Sequence, residues 1–285
     1  MSTVRLLGAA DIRRLAAELD VTPTKKLGQN FVVDANTVRK IVTAARVEEN
    51  ERVVEVGPGL GSLTLAILET GASVTAVEID SRLASRLAQT ASEQGVPDGK
   101  LTVVEHDAMT VTELPGDPEV LVANLPYNVS VPVLLHFMET FANLGRGVVM
   151  VQAEVGERLA AAPGSKIYGA PSAKAAWYGD WKLVGTVSRQ VFWPVPNVDS
   201  VLVGFERSGE PLGSEEDRLE TFRIIDLAFQ QRRKMLRQAL SRELGGSAAA
   251  SEILEKAGVE PTVRGEALDV HAFYRIALAV RDARA

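Results

Sequence analysis

The stretch that decides the fold is "VVEVGPGLGSLT" at residues 53–64, where a short apolar segment runs into three glycines. Gly57, Gly59 and Gly61 stand where a strand is predicted to end and a helix to begin. Glycines at this point permit a tight turn and let backbone N–H groups approach a ligand, at the carboxyl edge of an open α/β sheet. The spacing is G-x-G-x-G, whereas a dinucleotide-binding loop reads G-x-G-x-x-G. The pattern predicts a ligand-binding turn, with a purely structural turn as the alternative.

Short apolar segments alternate with helical patterns on both sides of this loop. Such alternation is typical of βαβ units, in which helices cover both faces of a parallel sheet. We therefore predict an α/β fold with a mostly parallel, seven-stranded sheet, closed by its last two strands as an antiparallel pair. The predicted strands are 52–56, 73–78, 101–105, 120–123, 147–152, 182–191 and 201–205.

The composition changes at residues 208–216, "SGEPLGSEE", which read as a linker rich in glycine, proline and acidic residues. Only helical patterns follow it, at 218–240, 249–257 and 270–280. We predict a catalytic domain at residues 1–208 and a small all-helical domain at residues 209–285. Near the N-terminus, Asp34 is predicted to cap a helix that runs through Ala45.

The composition excludes several classes of chemistry. The 285 residues include no cysteine, which removes disulfides, thiolate metal sites and thiol nucleophiles. The three histidines are scattered without ligand spacing, so no metal is expected.

No apolar run of about 18 residues and no secretion signal are visible, so we expect a cytoplasmic protein with no membrane partner. The net charge of −6 argues against indiscriminate binding of nucleic acid, although residues 230–242 carry five basic residues and no acidic one.

Acidic residues stand at the ends of the next two strands. Glu78 ends the second strand, where a carboxylate is placed to accept hydrogen bonds from ribose hydroxyls. Asp107 follows the third strand and can accept the exocyclic amine of an adenine, although an ordinary Asx turn explains it nearly as well. With the glycine loop, these residues describe a site for an adenosine-containing ligand that needs no phosphate, which indicates S-adenosylmethionine. Glu55 is either an acid near the methionine amine or a structural residue.

The fourth strand runs into Asn124-Leu125-Pro126-Tyr127 beside the same edge of the sheet. An exocyclic amine is a poor nucleophile because its lone pair is delocalised into the ring. Two acceptors that hold its N–H bonds direct that lone pair at a methyl group. The Asn124 amide oxygen and the Leu125 carbonyl are our candidates for these acceptors. Pro126 stiffens the turn, and Tyr127 is predicted to stack on the base.

The chain resembles a known family at this point. Asn124 to Tyr127, with the glycine loop and Glu78, is similar to the class I methyltransferases that act on adenine N6. More narrowly, five stretches resemble the small-subunit ribosomal RNA adenine dimethyltransferases: "KKLGQNFVVD" at 25–34, "VQAEVGERL" at 151–159, "FWPVPNVDSVLV" at 192–203, "AFQQRRKMLRQAL" at 228–240 and "VRGEALDVHAFYRIA" at 263–277. The resemblance covers nearly the whole chain.

The resemblance implies transfer of two methyl groups from S-adenosylmethionine to each of two adjacent adenosines in the 3′-terminal hairpin loop of 16S rRNA. The substrate would be a small ribosomal subunit or its precursor, and the enzyme would act as a monomer. Phe192 would face Tyr127 across the target base. The expected cofactor-binding residues are Gln29, Asn30, Val32, Gly57, Gly59, Gly61, Glu78, Ile79, Asp107, Ala108 and Asn124.

Basic residues at both ends of the chain are the predicted RNA contacts. A charge run is often only a solvated helix face, but phosphate contact is favoured in a chain that modifies a base. The predicted RNA-binding residues are Lys25, Lys26, Arg232, Arg233, Lys234 and Arg237.

Two other functions stay open at this point. The first is the related 23S rRNA adenine methyltransferase that confers macrolide resistance, which shares the Asn124–Tyr127 motif. The second is an RNA-binding module for ribosome assembly or transcription on a methyltransferase fold, for which eroded cofactor residues would be expected. A nicotinamide-dependent dehydrogenase is disfavoured by the glycine spacing.

Overall fold

A computed structural model describes residues 4–21, 30–126 and 128–284. The helices follow the apolar periodicity of the sequence, and aspartates cap several of them. Asp34 accepts a hydrogen bond from the N–H of Thr37 at 2.7 Å, and Asp80 accepts one from the N–H of Arg82 at 3.0 Å. The α-helices are α1 (Ala9–Glu18), α2 (Ala35–Ala44), α3 (Ser62–Glu69), α4 (Ser81–Glu93), α5 (Ser130–Thr140), α6 (Ala153–Leu159), α7 (Ala170–Ala176), α8 (Glu215–Gln230), α9 (Leu236–Ala239), α10 (Ser247–Lys256) and α11 (Val270–Arg284).

A seven-stranded sheet forms the centre of the fold, in the order β4-β3-β2-β5-β6-β9-β7. The first five strands in this order are parallel, and β9 pairs with β6 in the antiparallel direction. The mostly parallel α/β fold is thereby confirmed. The strands are β1 (Phe31–Val32), β2 (Arg52–Val56), β3 (Ser73–Glu78), β4 (Leu101–Glu105), β5 (Val120–Asn124), β6 (Arg146–Gln152), β7 (Gly179–Val187), β8 (Phe192–Trp193) and β9 (Ser200–Arg207).

The strand order reverses between β2 and β5. From β2 the chain goes outward to β3 and β4, and after β5 it continues on the opposite side to β6. Ligands of open α/β sheets bind beside the carboxyl ends of the strands at such a reversal. The connections that follow the two neighbouring strands lead in opposite directions there, and this opens a crevice. The register pairs Val53 with Val120 and Val54 with Leu121. The glycine loop and Asn124 therefore emerge side by side.

The strands next to this crevice are buried on both faces. The last four residues of β2 and the first four of β5 are buried, as expected for central strands covered by helices on each side. An apolar core on this sheet includes Val53, Ile67, Val74, Val122 and Leu202. This packing holds the strand ends that carry the site in a constant position.

A two-residue strand pair lies apart from the main sheet. β1 pairs with β8 in the antiparallel direction, with Phe31 opposite Trp193 and Val32 opposite Phe192. The rings of Phe31 and Trp193 stack with their centroids 6.4 Å apart. This pair joins two segments that are distant in sequence and places the segment after residue 29 near the glycine loop.

The chain divides into two compact units, one of residues 1–156 and 182–207, and the other of residues 157–181 and 208–285. The second unit has its own apolar core, which includes Ile224, Leu236, Leu254, Phe273 and Ile276. Residues 157–181, including α7, belong to this second unit, whereas the change of composition at residue 208 predicts one catalytic domain over residues 1–208. The boundary at residue 208, as a division of function, stays a prediction.

One predicted helix is wrong. The pattern at 218–240 predicts a continuous helix, but α8 ends at Gln230 and only the short α9 follows. The N–H groups of Leu236 and Arg237 donate to the carbonyls of Val263 and Pro261, at 2.7 and 3.1 Å. These bonds to a distant segment replace the helical ones, so the basic residues 232–234 lie in a turn.

Strand boundaries at the other edge of the sheet also differ. The strand predicted at 182–191 is β7, which begins at Gly179 and ends at Val187. A short 3-10 helix at Arg189–Val191 follows, and the Ser188 hydroxyl caps it by accepting from the N–H of Gln190. The capping residue ends the extended segment earlier than the apolar pattern indicates.

Candidate active site

A cavity of about 380 Å³ opens at the reversal point of the sheet, within the range typical of small-molecule sites. Its wall is formed by the segment that includes β1, the glycine loop, the end of β3 and the end of β5. The lining residues are Asn30, Phe31, Val32, Glu55, Gly57, Pro58, Gly59, Leu60, Ser62, Leu63, Glu78, Ile79, Asp80, Leu83, Asn124, Leu125 and Pro126.

Gly59 is where the loop most needs a glycine. Its φ is +57°, and a Cβ there would lie 3.0 Å from Cε1 of Phe31. Its N–H donates to Oε2 of Glu78 at 3.1 Å. The missing side chain lets the loop approach both Phe31 and Glu78, and it leaves the cavity open between them.

Gly61 has a different function from Gly59. It precedes α3 with φ of +95°, and a Cβ there would lie 2.8 Å from Cδ1 of Leu87 on α4. The glycine therefore allows α3 to pack closely against α4, and it does not line the cavity. Its predicted contact with the cofactor stays a prediction.

Two acidic side chains face this site from buried positions. Burial raises the pKa of Glu78, although the N–H groups of Asp80, Gly59 and Ile79 oppose the shift by favouring the carboxylate. Burial raises the pKa of Glu55 to about 8, and the nearby charge of Glu78 adds to the rise. The Thr64 hydroxyl donates to Glu55 at 2.6 Å. A ligand with a positive group would be stabilised here, because it would compensate the cost of ionising these acids.

The turn after β5 brings polar atoms to the cavity edge. Nδ2 of Asn124 donates to the backbone carbonyl of Asn30 at 3.1 Å, which fixes the orientation of the amide. The N–H of Leu125 donates to the carbonyl of Met150 at 3.1 Å. The Asn124 side-chain amide and the Leu125 backbone N–H therefore hold the turn in place. The Asn124 amide oxygen and the Leu125 carbonyl are acceptors at the same short segment.

Most of the predicted cofactor residues in the described part of the chain come together in this cavity. Ile79 lines it with 68% of its surface exposed, which offers an apolar face to a ligand. Predicted residues in the wall are Asn30, Val32, Gly57, Gly59, Glu78, Ile79 and Asn124, together with Leu125 and Pro126. Gln29, Tyr127, Lys25 and Lys26 lie outside the described residues.

Asp107 and Ala108 follow β4, the strand beyond β3, and do not line the cavity. Oδ1 of Asp107 accepts from the N–H of Met109 at 2.8 Å, which is the Asx-turn geometry. The register pairs Glu78 with Glu105, so Asp107 emerges one strand away from Glu78. Contact with a ligand that extends along the strand ends stays a prediction for both residues.

Phe192 lies in the core, apart from the cavity wall. Only 2% of its surface is exposed, and it packs in the apolar cluster that includes Val32 and Leu202. In this conformation its ring packs as a core aromatic. Its predicted position across a base stays a prediction, and it requires a local rearrangement of β8.

The predicted RNA contacts of the helical unit differ in their surroundings. Arg232 pairs with Glu266 at 2.9 Å and also donates to the carbonyl of Lys166, so its guanidinium joins three segments of the unit. Arg233 and Lys234 are exposed and have no ion pair within the described ranges. Arg237 is half-buried. Arg233 and Lys234 are therefore the more available of these cations.

Sequence reasoning missed several residues of the cavity wall. The missed residues are Phe31, Pro58, Leu60, Ser62, Leu63, Asp80 and Leu83. Most are neighbours of predicted residues, so their position next to the glycine loop or to Asn30 was the available signal. Leu83 carried no such signal, because its contribution depends on how α4 packs.

Comparisons with known proteins bear on this geometry. The model of the family described as "Ribosomal RNA adenine dimethylase" matches residues 22–281. The chain belongs to this family. It is 64% identical to "Ribosomal RNA small subunit methyltransferase A" of Leifsonia xyli subsp. xyli, and the match covers 97% of this chain and 99% of that one. The protein of the same name from Streptomyces coelicolor is 58% identical, over 95% and 96% of the two chains.

Solved structures show the same fold. A dimethyladenosine transferase from Plasmodium falciparum superposes with a TM-score of 0.76 at 24% identity, covering 87% of this chain and 96% of that one. The 23S rRNA methyltransferase ErmE has a TM-score of 0.66 at 24% identity, and the match covers 88% of this chain and 100% of that one. At this identity the likeness establishes the class I methyltransferase architecture alone.

S-adenosylmethionine is the methyl donor of the adenine dimethylase family, and the cavity fits it. The exposed face of Ile79 suits an adenosine, and the two buried acids suit an attached ammonium group. Within the described residues, no group of three or more acidic or histidine side chains is arranged to hold a metal ion. No helix in the described ranges is long and apolar enough to cross a membrane.

Proposed function

We propose that the chain dimethylates N6 of two adjacent adenosines in the 3′-terminal hairpin loop of 16S rRNA, in a small ribosomal subunit or its precursor. The observation that carries this proposal is the turn at Asn124 to Pro126, which lies at the edge of the cofactor cavity with its amide orientation fixed by Asn30. Family membership and the names of the close relatives support the substrate class.

The chain's own residues hold the methyl donor. When bound, S-adenosylmethionine supplies an electrophilic methyl group on a sulfonium centre. Glu78 is proposed to accept hydrogen bonds from the ribose hydroxyls, and its two bonds from the Gly59 and Asp80 N–H groups keep its carboxylate in place. Glu55 is proposed to stabilise the ammonium group, which would favour its ionised form.

The target amine is proposed to bind at the turn after β5. In the first transfer, the Asn124 amide oxygen and the Leu125 carbonyl accept its two N–H bonds and hold the nitrogen so that its lone pair points at the methyl group. In the second transfer, the same acceptors hold the one N–H that remains. Both acceptors belong to a segment fixed by hydrogen bonds to Asn30 and Met150. Positioned acceptors of this kind need no reorganisation during the reaction, which is the source of their catalytic effect.

The base is proposed to stack between Tyr127 and Phe192. Aromatic side chains commonly hold extruded bases in this way, since every base has an accessible face. Tyr127 directly follows Pro126 in the sequence, and Pro126 lines the cavity. For Phe192 the proposal includes movement out of the core, because its ring is buried.

The helical unit is proposed to contact rRNA through its exposed cations. Arg233 and Lys234 suit phosphate groups because no acidic side chain in the described ranges pairs with them. Arg232 is proposed to contribute while also holding the turn. We further propose a monomer that acts in the cytoplasm, where ribosomal subunits are present, and sedimentation of the purified chain tests its oligomeric state.

The small-subunit substrate is favoured over the alternatives. The relatives from Leifsonia xyli and Streptomyces coelicolor are named for the small subunit and match nearly the whole chain. The 23S methyltransferase resembles it only at the level of fold. A binding module without catalysis is disfavoured, since Gly57, Glu78 and Asn124 all remain in one cavity.

Methyl transfer from labelled S-adenosylmethionine tests the proposal. The substrate is small ribosomal subunits from a source that lacks these methyl groups, and the products are identified by nucleoside analysis. N6,N6-dimethyladenosine is expected at both adjacent positions. Equal transfer to large subunits or to duplex DNA, or a product other than dimethyladenosine, would contradict the proposed function.

A further inference from the structure

The first turn of α3 carries two buried hydroxyl groups, and within the described residues only one of them has a hydrogen-bond partner. The Thr64 hydroxyl donates to Glu55 at 2.6 Å. The Ser62 hydroxyl oxygen is buried and has no hydrogen-bond partner among the described residues, although the side chain lines the cavity. Ser62 is only 9% exposed. A buried hydroxyl without a partner costs free energy, so a ligand that supplies one has a ready site.

The position of Ser62 at the start of a helix indicates the charge of the ligand group that would bind there. It is the first residue of α3, an eight-residue helix whose preceding residue, Gly61, provides no side-chain cap. The first N–H groups of a helix have no intrahelical partners, and the helix dipole places partial positive charge there. Such an end favours an anion. The two acids of the same cavity, Glu55 and Glu78, are suited to the cationic and hydroxyl groups of the ligand instead.

We propose that Ser62 is a cofactor-binding residue whose hydroxyl donates to the methionine carboxylate of S-adenosylmethionine at the N-terminus of α3. This inference rests on S-adenosylmethionine being the methyl donor. The carboxylate accepts from Ser62 while the ammonium group of the same amino acid is stabilised by Glu55. Ser62 and Thr64 are two residues apart in α3, so the start of one helix serves both neighbouring charged groups of the cofactor, with Thr64 holding the Glu55 carboxyl.

The test compares two ligands and two serine variants. S-adenosylhomocysteine has the carboxylate, whereas 5′-methylthioadenosine keeps the adenosine and lacks the amino acid. Ser62→Ala should bind S-adenosylhomocysteine about tenfold more weakly, the factor expected for a lost charge-assisted hydrogen bond. Its affinity for 5′-methylthioadenosine should be unchanged. Ser247→Ala is the matched control, because Ser247 also begins a helix directly after a glycine and is exposed in the other unit.

The stability of the ligand-free chain gives an independent measurement. Because the Ser62 hydroxyl has no hydrogen-bond partner in the part of the chain that the structure describes, Ser62→Ala should leave the thermal midpoint unchanged or raise it. With small subunits as substrate, the KM for S-adenosylmethionine should rise while kcat is unchanged, since the contact is the same in the ground and transition states.

Two results would overturn the inference. One is wild-type affinity of Ser62→Ala for S-adenosylhomocysteine. The other is an equal loss of affinity for both ligands with a lowered thermal midpoint, which would show a structural role. Failure of the unaltered chain to bind S-adenosylhomocysteine would instead contradict the cofactor assignment itself, and with it this inference.

Discussion

The glycine loop at residues 57–61 and the basic stretch at residues 230–242 differ in what determines their conformation. In the loop, the φ angles of Gly57, Gly59 and Gly61 are +68°, +57° and +95°, a region that glycine enters easily and other residues do not. In the basic stretch, α8 ends at Gln230, and the N–H groups of Leu236 and Arg237 are held by the carbonyls of residues 263 and 261. Local backbone preference shapes the loop, whereas contacts with a distant segment shape the basic stretch.

The two regions also differ in how their functional groups are held. The cavity beside the glycine loop is lined by buried or half-buried groups with assigned hydrogen bonds, as at Glu78 and Asn124. In the basic stretch most of the cations are exposed. Arg232 pairs with Glu266, and the half-buried Arg237 contacts the sulfur of Met235. Substitutions near the loop should therefore have large and specific effects, and substitutions in the basic stretch should have small effects that depend on salt.

The largest effect is expected at Asn124. Asn124→Ala removes one of the two proposed amine acceptors and should reduce methyl transfer by at least roughly a hundredfold, the loss typical of removing a positioned transition-state partner. Binding of S-adenosylhomocysteine should change much less. Single-turnover assays with small subunits measure the loss. Asn128→Ala is the control, because Asn128 lies in the same turn and is exposed. Wild-type rates for Asn124→Ala would contradict the role of that side chain.

The next effect concerns the pH dependence of stability at Glu55. Its pKa is about 8 in the folded chain and near the ordinary value for glutamate when unfolded, so the folded state binds the extra proton between these values. Stability should consequently fall as pH rises, by up to about 1.4 kcal/mol per pH unit, until the pH exceeds 8. Thermal denaturation between pH 6 and 9 measures it.

Glu55→Gln should make this fall smaller, since the amide oxygen can still accept from Thr64 and no charge develops at residue 55, while Glu78, whose pKa burial also raises, still contributes. Glu105→Gln serves as the control. Glu105 is exposed at the end of β4, and its variant should retain the pH dependence of the unaltered chain. An identical pH profile for Glu55→Gln and the unaltered chain would contradict the assignment.

A third prediction separates backbone strain from crowding in the glycine loop. Gly59→Ala adds a methyl group 3.0 Å from the Phe31 ring, and Gly99→Ala adds one at φ of +79° with no atom within 4 Å. Both should lose about 1 kcal/mol of stability from strain. Only Gly59→Ala should also weaken S-adenosylhomocysteine binding, by at least about tenfold, which corresponds to 1.4 kcal/mol. Titration calorimetry measures the affinity of both variants for S-adenosylhomocysteine, and denaturation measures their stability. Equal affinities of the two variants for S-adenosylhomocysteine would refute the crowding argument.

The smallest effect is expected in the basic stretch. Arg233→Ala should weaken binding to small subunits by a few-fold. The slope of log affinity against log salt concentration should become shallower by about 0.7 to 0.9, as for one lost phosphate contact. Lys256→Ala removes the same charge from an exposed position on α10 and is the control. Binding measured from low to moderate salt provides the slopes. An equal change in slope for the two variants would mean that the basic stretch is not a specific contact.

Local patterns predicted the parts of the fold that depend on local interactions. The observed bounds of β2, β3 and β4 are those expected from the apolar segments, and Asp34 caps α2 as its position indicated. The positions of Gly57, Glu78 and Asn124 at one edge of the sheet followed from the alternation of strands and helices, because parallel strands end on the same side. The wall residue Leu83 could not be predicted, since it depends on how α4 packs against the sheet.

The sequence by itself determined the α/β class, the glycine loop and the position of Asn124 at the end of a central strand, because apolar periodicity and glycine conformation act over a few residues. Only the tertiary structure decided that Phe31 and Val32 pair with Phe192 and Trp193, which brings Asn30 to Asn124. It also decided the break after Gln230 and left the hydroxyl of Ser62 without a partner among the residues in ranges 4–21, 30–126 and 128–284. These features depend on hydrogen bonds between distant segments, and on their absence at Ser62, and neither leaves a periodic pattern in the sequence.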